Sequence, residues 1–210
     1  MNKHLVLLGD SIFDNAAYVA GGPSVIDQVR QLMPPTWHAS LLAVDGHTTV
    51  QVMDQLRRLP EGASHLILSV GGNDALTCVP QLQAASASVM QSLTSLTEMK
   101  NGFEAAYRKL LASLLDLRMP LLVCTIYDHV PGLPEELKTA LALFNDVILR
   151  VAIEHRLPIL DLRMICTEAG DYSTQSPIEP SAQGGEKLAG KIVQTVANHD
   201  FASGGCRVYF

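Results

Sequence analysis

The chain has 210 residues, of which 48% are hydrophobic and 17% charged, and its formal net charge is −6. This length fits one ordinary domain, predicted over residues 1–210, and the apolar fraction is ample for a large core, which argues against disorder. The negative charge and the lack of any run of Lys and Arg argue against a phosphate-backbone partner, so we expect no nucleic-acid ligand.

The N-terminal segment predicts a protein of the cytoplasm. Its apolar run over residues 5–8 is too short to cross a membrane, and no small-residue cleavage site follows it. We therefore expect no membrane span and a cytoplasmic location. The cysteines are scattered without a Cys-x-x-Cys pair, which favours reduced structural thiols. They are Cys78, Cys124, Cys166 and Cys206.

Short apolar runs predict the strands of a parallel sheet. The runs are continuous rather than alternating, which is typical of strands covered on both faces. Helical segments separate them, and this alternation favours a doubly wound sheet. We predict a three-layer α/β/α sandwich with about five parallel strands in flavodoxin-like order. The predicted strands are residues 4–8, 40–44, 65–70, 121–126 and 157–162.

The predicted helices lie between these strands and after the last one. A Ser-, Ala- and Thr-rich segment over residues 81–100 is expected to form a helix that serves as a lid or cap. The tail over residues 201–210 ends in Val-Tyr-Phe, and it either packs on the domain as a strand or contacts a partner. The other predicted helices are residues 24–33, 50–59, 102–117, 135–155 and a last one that begins near Ser181.

Three strand ends carry residues suited to nucleophilic catalysis, and the carboxyl ends of parallel strands are where sites form. Gly-Asp-Ser-Ile over residues 9–12 exposes the hydroxyl and the N–H of Ser11 together, as a nucleophile requires. Gly46 follows the second strand and can bring its N–H close to a ligand. Asn73, in Gly-Gly-Asn-Asp over residues 71–74, can donate to a developing oxyanion, an interaction worth about 3–4 kcal/mol. Together they predict a nucleophile with a three-donor oxyanion hole.

These blocks resemble the SGNH hydrolases, also called the GDSL family, and residues 46–76 are most similar to the bacterial lysophospholipase and thioesterase branch. The block Glu-Pro-Ser-Ala-Gln-Gly over residues 179–184 also aligns. The resemblance implies an SGNH-hydrolase sandwich and hydrolysis of a small ester or thioester through an acyl-enzyme on Ser11. It also implies an oxyanion hole made by the N–H groups of Ser11 and Gly46 and the side chain of Asn73. In the same resemblance, Asp10 and Asp74 organise loops.

The sequence departs from the family at the general base. The family's final block is Asp-x-x-His followed by Pro, whereas the same register here is Ser-Pro-Ile-Glu-Pro over residues 176–180. Glu179 therefore stands in place of the catalytic histidine, and Ser176 in place of its orienting aspartate. A free Glu has a pKa near 4.3, but burial can raise that pKa to about 6–7, and a carboxylate needs no orienting Asp. The first hypothesis is a Ser11–Glu179 dyad.

Two alternatives to this dyad stay open. In one, a histidine serves as base, either His129 after the fourth strand or His47 beside Gly46. In the other, the protein binds an acyl or carboxylate ligand on a hydrolase scaffold without turnover. No P-loop or Gly-x-Gly-x-x-Gly motif indicates a nucleotide, and no His or Asp spacing indicates a metal. We therefore expect a small-molecule ester or acyl substrate, no cofactor and no metal.

Overall fold

A computed structural model describes residues 2–210. Its strands form one sheet in the order β2-β1-β3-β4-β5-β6, and every neighbouring pair is parallel. This confirms the predicted flavodoxin-like sandwich, with six strands in the described residues where about five were expected. The strands are β1 (His4–Gly9), β2 (His38–Leu41), β3 (His65–Ser69), β4 (Leu121–Cys124), β5 (Ile159–Leu160) and β6 (Val208–Tyr209).

Helices cover both faces of the sheet. Helices α1 and α6 pack against each other on one face, and α2, α4 and α5 lie on the other. Short 3-10 turns occur in the loops. The helices are α1 (Val25–Leu32), α2 (Thr49–Gln55), α3 (Gly72–Leu82), α4 (Val89–Asp116), α5 (Glu135–Glu154) and α6 (Ala182–Asn198).

The alternation of side chains along the strands builds two hydrophobic cores. In β1, Leu5 and Leu7 point to the face that α1 and α6 cover, whereas Val6 and Leu8 point to the face that α4 and α5 cover. All four are fully buried, and burying such a side chain contributes about 1.5–3 kcal/mol each. Because both faces of the sheet are covered by apolar side chains, the site forms at the strand ends, where polar side chains such as Asp10 and Ser11 are placed.

The helix predicted over residues 81–100 is wrong in its bounds. Helix α3 ends at Leu82, residues 83–88 form a short link, and α4 then continues without a break to Asp116. The prediction had divided α4 in two, but buried side chains recur at helical spacing across the supposed boundary, beginning with Met99 and Phe103. Helix α3 itself was not predicted, because the glycines at its start favoured a turn.

The C-terminal tail packs on the domain as a strand, which is the first of the two alternatives for it. Strand β6 pairs in parallel with β5, and Tyr209 lies opposite Leu160. The Tyr209 hydroxyl lies 2.8 Å from Nδ1 of His199, and Nζ of Lys191 donates to the carbonyl oxygen of Phe210 at 2.7 Å. Within residues 2–210, no helix combines the length and apolarity needed to cross a membrane.

Candidate active site

The turn after β1 presents Ser11 at the edge of the sheet. Gly9 has φ +134°, and a Cβ at this position would lie 1.7 Å from the carbonyl oxygen of Ser69 in the neighbouring strand. Only glycine permits this close approach of β1 to β3. Beyond it, Oδ1 of Asp10 accepts a hydrogen bond from the N–H of Ile12 at 3.1 Å and fixes the turn. The Ser11 side chain therefore has a defined position at the carboxyl end of the sheet.

The Ser11 hydroxyl donates a hydrogen bond to Oε1 of Glu179 at 3.0 Å, and both residues are buried. Burial raises the pKa of Glu179 to about 7; the hydrogen bond from Ser11 opposes this shift, and the negative charge of Asp45 adds to it. The other oxygen, Oε2, is buried and has no partner among residues 2–210. Glu179 is thus placed to accept the Ser11 proton, with a pKa close to neutrality.

Hydrogen bonds from two buried side chains hold the backbone on either side of Glu179. The Tyr127 hydroxyl donates to the Ile178 carbonyl at 2.6 Å, and Nδ2 of Asn15 donates to the Pro180 carbonyl at 3.0 Å. Neither residue is predicted from the sequence as part of the site. The available indication for Tyr127 was its position directly after the fourth strand, whereas nothing in the sequence singles out Asn15.

The three residues predicted as oxyanion donors lie beyond the ends of adjoining strands, Ser11 and Gly46 in loops and Asn73 in the first turn of α3. Nδ2 of Asn73 donates to the His47 carbonyl at 3.0 Å, which uses one of the two N–H bonds of the amide. Gly46 has φ +79° and directly precedes His47, so this hydrogen bond links the Gly46 loop to the start of α3. Within residues 2–210, the N–H groups of Ser11 and Gly46 have no acceptor. These groups can therefore donate to an oxygen atom of a ligand.

The two histidines considered as bases make other contacts. Nδ1 of His47 lies 3.1 Å from Nε2 of Gln55, and that amide also donates to the carbonyl oxygen of Gly9 at 2.7 Å. His129 is exposed, and its Nδ1 lies 3.0 Å from Oδ1 of Asp128. The carboxylate of Glu179, rather than either imidazole, is the group hydrogen-bonded to Ser11.

The two aspartates that the resemblance assigns to loop organisation are both buried enough to have raised pKa values. Burial raises the pKa of Asp10 to about 8, although the hydrogen bond from Ile12 opposes the shift. Burial also raises the pKa of Asp74, whose Oδ2 accepts from the N–H and the hydroxyl of Thr49 at 2.9 and 3.0 Å. Asp74 lies in the first turn of α3 and thereby fixes the start of α2 relative to the start of α3.

An apolar pocket of about 100 Å³ opens beside Ser11, between α3 and α5. A cavity of roughly 150 Å³ lined by Leu, Ile and Phe can bind benzene, so this pocket suits a short acyl group. Its polar lining is confined to the end that holds Ser11 and Glu179, and no Lys or Arg lines it. Elsewhere its walls include Leu76, Val79, Leu82, Ile126, Leu137, Ala140, Leu141 and Phe144.

In the part of the chain that the structure describes, no group of three or more His, Cys, Asp and Glu side chains is placed to hold a metal.

Solved structures of lipases and esterases share this fold. The extracellular lipase of Streptomyces rimosus superposes with a TM-score of 0.67 and is 16% identical, covering 92% of this chain and 99% of that one. For the lipase/acylhydrolase of Enterococcus faecalis, the TM-score is 0.62 and the identity 21%. The match covers 92% of this chain and 95% of that one. A variant of the acetyl xylan esterase of Geobacillus stearothermophilus superposes with a TM-score of 0.67 and is 15% identical. The match covers 94% of this chain and 96% of that one.

At these low identities, the solved structures establish the fold alone. No curated protein matches the sequence significantly. A family model supplies the further information, because it matches residues 7–187, which include every block from the Ser11 turn to the start of α6. The chain therefore belongs to the GDSL-like lipase/acylhydrolase family.

Proposed function

We propose that the protein is a serine esterase that hydrolyses esters or thioesters of short apolar acyl groups, with Ser11 as nucleophile and Glu179 as general base. The observation that carries this proposal is the buried hydrogen bond of 3.0 Å from the Ser11 hydroxyl to the Glu179 carboxylate. It lies at the polar end of an otherwise apolar pocket, where an acyl group would have its carbonyl beside Ser11. Membership of an acylhydrolase family supports the hydrolytic class.

The residues account for both halves of an acyl-transfer reaction. Ionised Glu179 takes the Ser11 proton while Oγ attacks the carbonyl carbon, and the oxyanion receives hydrogen bonds from Ser11, Gly46 and Asn73. Collapse of this intermediate breaks the bond to the leaving alcohol or thiol, which receives the proton from Glu179. A water molecule then attacks the acyl-enzyme, again giving its proton to Glu179. Collapse of the second intermediate breaks the bond to Oγ, and Ser11 recovers the proton.

A carboxylate suits this site because its pKa has moved close to the operating pH. A general base contributes about 10²–10⁴-fold, and it is most effective with a pKa near the working pH. Glu179, with a pKa of about 7, meets this condition, whereas a solvent-exposed glutamate would be largely ionised but weakly basic. The carboxylate also has no tautomers, so a serine at position 176 in place of the family's aspartate removes nothing that this base needs.

The test is the pH dependence of p-nitrophenyl butyrate hydrolysis between about pH 5 and about pH 9. We expect kcat/KM to rise with pH through an apparent pKa near 7, because Glu179 acts in its ionised form. Ser11→Ala should abolish turnover, and Glu179→Gln, which keeps the shape but cannot take a proton, should lower it about 10²–10³-fold. Wild-type turnover by Glu179→Gln would overturn the dyad.

Matched variants test the histidine alternative in the same assay. His47→Ala and His129→Ala are expected to retain most of the activity, because neither imidazole is hydrogen-bonded to Ser11. A loss comparable to that of Glu179→Gln in either variant would instead identify that histidine as the base.

A covalent probe separates the esterase from the ligand-binding alternative. A fluorophosphonate should phosphonylate the wild type and not Ser11→Ala, whatever the natural substrate is. If neither turnover nor labelling occurs, while calorimetry detects butyrate binding below about pH 7, the protein is better described as an acyl-ligand binder, since protonated Glu179 would tolerate a carboxylate.

A further inference from the structure

Gln55 is a fully buried residue whose amide binds the backbone at the end of β1. It is the last residue of α2. The N–H of Gly9 donates to Oε1 of Gln55 at 2.9 Å, and Nε2 of Gln55 donates to the Gly9 carbonyl at 2.7 Å. Because this pair of bonds needs one acceptor and one donor, it also fixes which end of the amide is the oxygen. The side chain therefore holds Gly9 by both of its backbone polar groups.

The second N–H bond of the Gln55 amide is available to His47. Nε2 of Gln55 lies 3.1 Å from Nδ1 of His47, and an amide nitrogen can only donate. Nδ1 is therefore the acceptor, which makes the imidazole neutral, with its proton on the other ring nitrogen. One buried side chain thus contacts both the end of β1 and the residue that follows Gly46.

These contacts bracket the tight turn over residues 44–47, which we call the Gly46 turn. The N–H of His47 donates to the Val44 carbonyl at 3.1 Å and closes the turn. The N–H of Val44 donates to the Gly9 carbonyl at 3.2 Å. The Gly46 turn is therefore bound to Gly9 at its first residue and to Gln55 at its last.

All three predicted oxyanion donors are connected to this network. Ser11 lies two residues beyond Gly9, and Gly46 lies within the turn. The Asn73 amide donates to the His47 carbonyl at 3.0 Å. Stabilising an oxyanion requires donors held at about 2.7–3.1 Å from one oxygen atom. Since the N–H groups of Ser11 and Gly46 come from segments far apart in the sequence, their separation depends on tertiary contacts such as these.

We propose that Gln55 is a positioning residue of the oxyanion hole. By joining the end of β1 to the Gly46 turn, it sets the separation at which the N–H groups of Ser11 and Gly46 meet one oxygen atom. Gln55 is fully buried and does not line the pocket, so it acts through these donors and not on the substrate. The role rests on the proposed function, because it matters only when an oxyanion forms.

The substitution Gln55→Met tests this role, since it keeps the length of the side chain but cannot bind both backbone groups of Gly9. We expect kcat on p-nitrophenyl butyrate to fall about 10- to 100-fold, because a displacement of about 1 Å can cost about 10²-fold. KM should stay within about threefold, which is the pattern of an interaction made only in the transition state.

The matched control is Ser64→Ala, at the opposite end of β1. The Ser64 hydroxyl also binds both backbone groups of one residue: it accepts from the N–H of His4 at 2.8 Å and donates to the His4 carbonyl at 3.3 Å. Both variants should unfold at lower urea concentration than the wild type. The control should keep kcat within about twofold, because it lies away from the oxyanion donors.

The substitution Gln55→Glu provides a rescue that depends on pH. A protonated carboxyl group can accept from the Gly9 N–H and donate to the Gly9 carbonyl, as the amide does, whereas an ionised one cannot donate. Burial raises the pKa of the new carboxyl group. Relative to the wild type at the same pH, kcat should be at least about tenfold lower at about pH 9 and recover to within about twofold at about pH 5.5. For Gln55→Met, the same ratio should not change with pH.

The outcomes separate this role from the esterase proposal. An active wild type with an unchanged kcat in Gln55→Met, or with equal losses of kcat in Gln55→Met and Ser64→Ala, would overturn the positioning role alone. A kcat ratio of Gln55→Glu that is independent of pH would do the same, and this ratio decides by itself if Gln55→Met does not fold. A wild type without Ser11-dependent turnover would overturn the proposed function, and the role of Gln55 with it.

Discussion

Glu179 differs from an imidazole in the support it requires from its surroundings. An imidazole base needs a hydrogen bond to its second nitrogen to fix its tautomer, whereas a carboxylate needs only a fixed position. Here the position comes from the backbone, because Tyr127 and Asn15 bind the carbonyls of the residues before and after Glu179. We infer that these two side chains do the positioning for which the family uses an aspartate.

Substitution of Tyr127 by Phe tests this positioning at the scale of one hydroxyl. We expect kcat on p-nitrophenyl butyrate to fall about tenfold, because the Glu179 loop loses one of its hydrogen bonds, and stability to fall by about 1 kcal/mol. Tyr209→Phe is the control, since it removes a tyrosine hydroxyl in the edge strand β6, where that hydroxyl lies 2.8 Å from Nδ1 of His199. The control should lose similar stability but keep its kcat; equal losses of kcat in both variants would contradict the positioning role.

Sequence patterns could predict the residues of the site that act through local motifs. Ser11, Gly46, Asn73 and Glu179 each occupy a recognisable block, and their catalytic roles remain predictions. Tyr127, Asn15 and Gln55 could not be predicted, since their importance comes from contacts with distant backbone atoms: Asn15 reaches Pro180, for example. Such contacts depend on tertiary distances that no spacing along the chain encodes.

At the scale of the elements, the start of α6 is fitted closely against the loop that carries Glu179. Gly184 lies in the first turn of α6, and a Cβ there would be 2.1 Å from the carbonyl oxygen of Asp171. That same carbonyl accepts a hydrogen bond from the N–H of Ser181 at 2.9 Å. The absence of a side chain at Gly184 therefore lets α6 begin directly beside the loop over residues 171–181.

Two glycines of α6 provide a matched pair of substitutions. Gly184→Ala should lower the free energy of unfolding by more than about 2 kcal/mol, because the new methyl group clashes with backbone that cannot move away freely. Gly190→Ala should raise it by about 0.5–1 kcal/mol, since nothing lies within 4 Å of a Cβ there and alanine favours helix. Urea denaturation of both variants measures the difference, and a stabilising Gly184→Ala would show that the loop adjusts.

The elements themselves were predictable where the apolar pattern was strong. The strands β1 and β3 were placed within one residue of their ends, because continuous apolar runs mark buried parallel strands. Strand β2 begins at His38, two residues before the predicted start, since a partly exposed edge strand has a weaker pattern. Helix α3 escaped prediction because packing against α4 and α5, rather than an amphipathic core face, supports it.

At the scale of the whole molecule, the raised pKa values of the buried carboxyls make stability depend on pH. The pKa of Glu179 is raised from 4.5 to about 7 and that of Asp10 from 3.8 to about 8. Between the unfolded and folded pKa values, the folded protein binds more protons than the unfolded chain, so stability falls as pH rises. The stability that these two carboxyl groups contribute is fully present below about pH 4, where both are protonated in the folded and unfolded states. It is lost as the pH rises from about 4 to about 8.

Glu179→Gln should therefore stabilise the protein in alkaline but not in acidic solution. The raised pKa of Glu179 corresponds to about 3 kcal/mol of lost stability by pH 8. Urea unfolding at about pH 4 should give nearly equal stabilities for variant and wild type, and at about pH 8 the variant should be more stable by up to this amount. A stability difference independent of pH would contradict the raised pKa. The same substitution is expected to abolish most activity, since the buried carboxylate that lowers stability is the proposed base.

The absence of Lys and Arg from the pocket lining affects the release of the acid product at the end of each catalytic cycle. Hydrolysis leaves a free carboxylate in a cavity lined by Glu179 and by no Lys or Arg. Two unit charges about 5 Å apart at an effective dielectric constant near 20 repel each other by about 3 kcal/mol, roughly a hundredfold in affinity. Once Glu179 has given up its proton, the acid product is thus electrostatically expelled, while the neutral ester is not. Product inhibition should therefore be weak above about pH 7 and should strengthen in acid, where the protonated carboxyl of Glu179 can retain the product by donating a hydrogen bond to it.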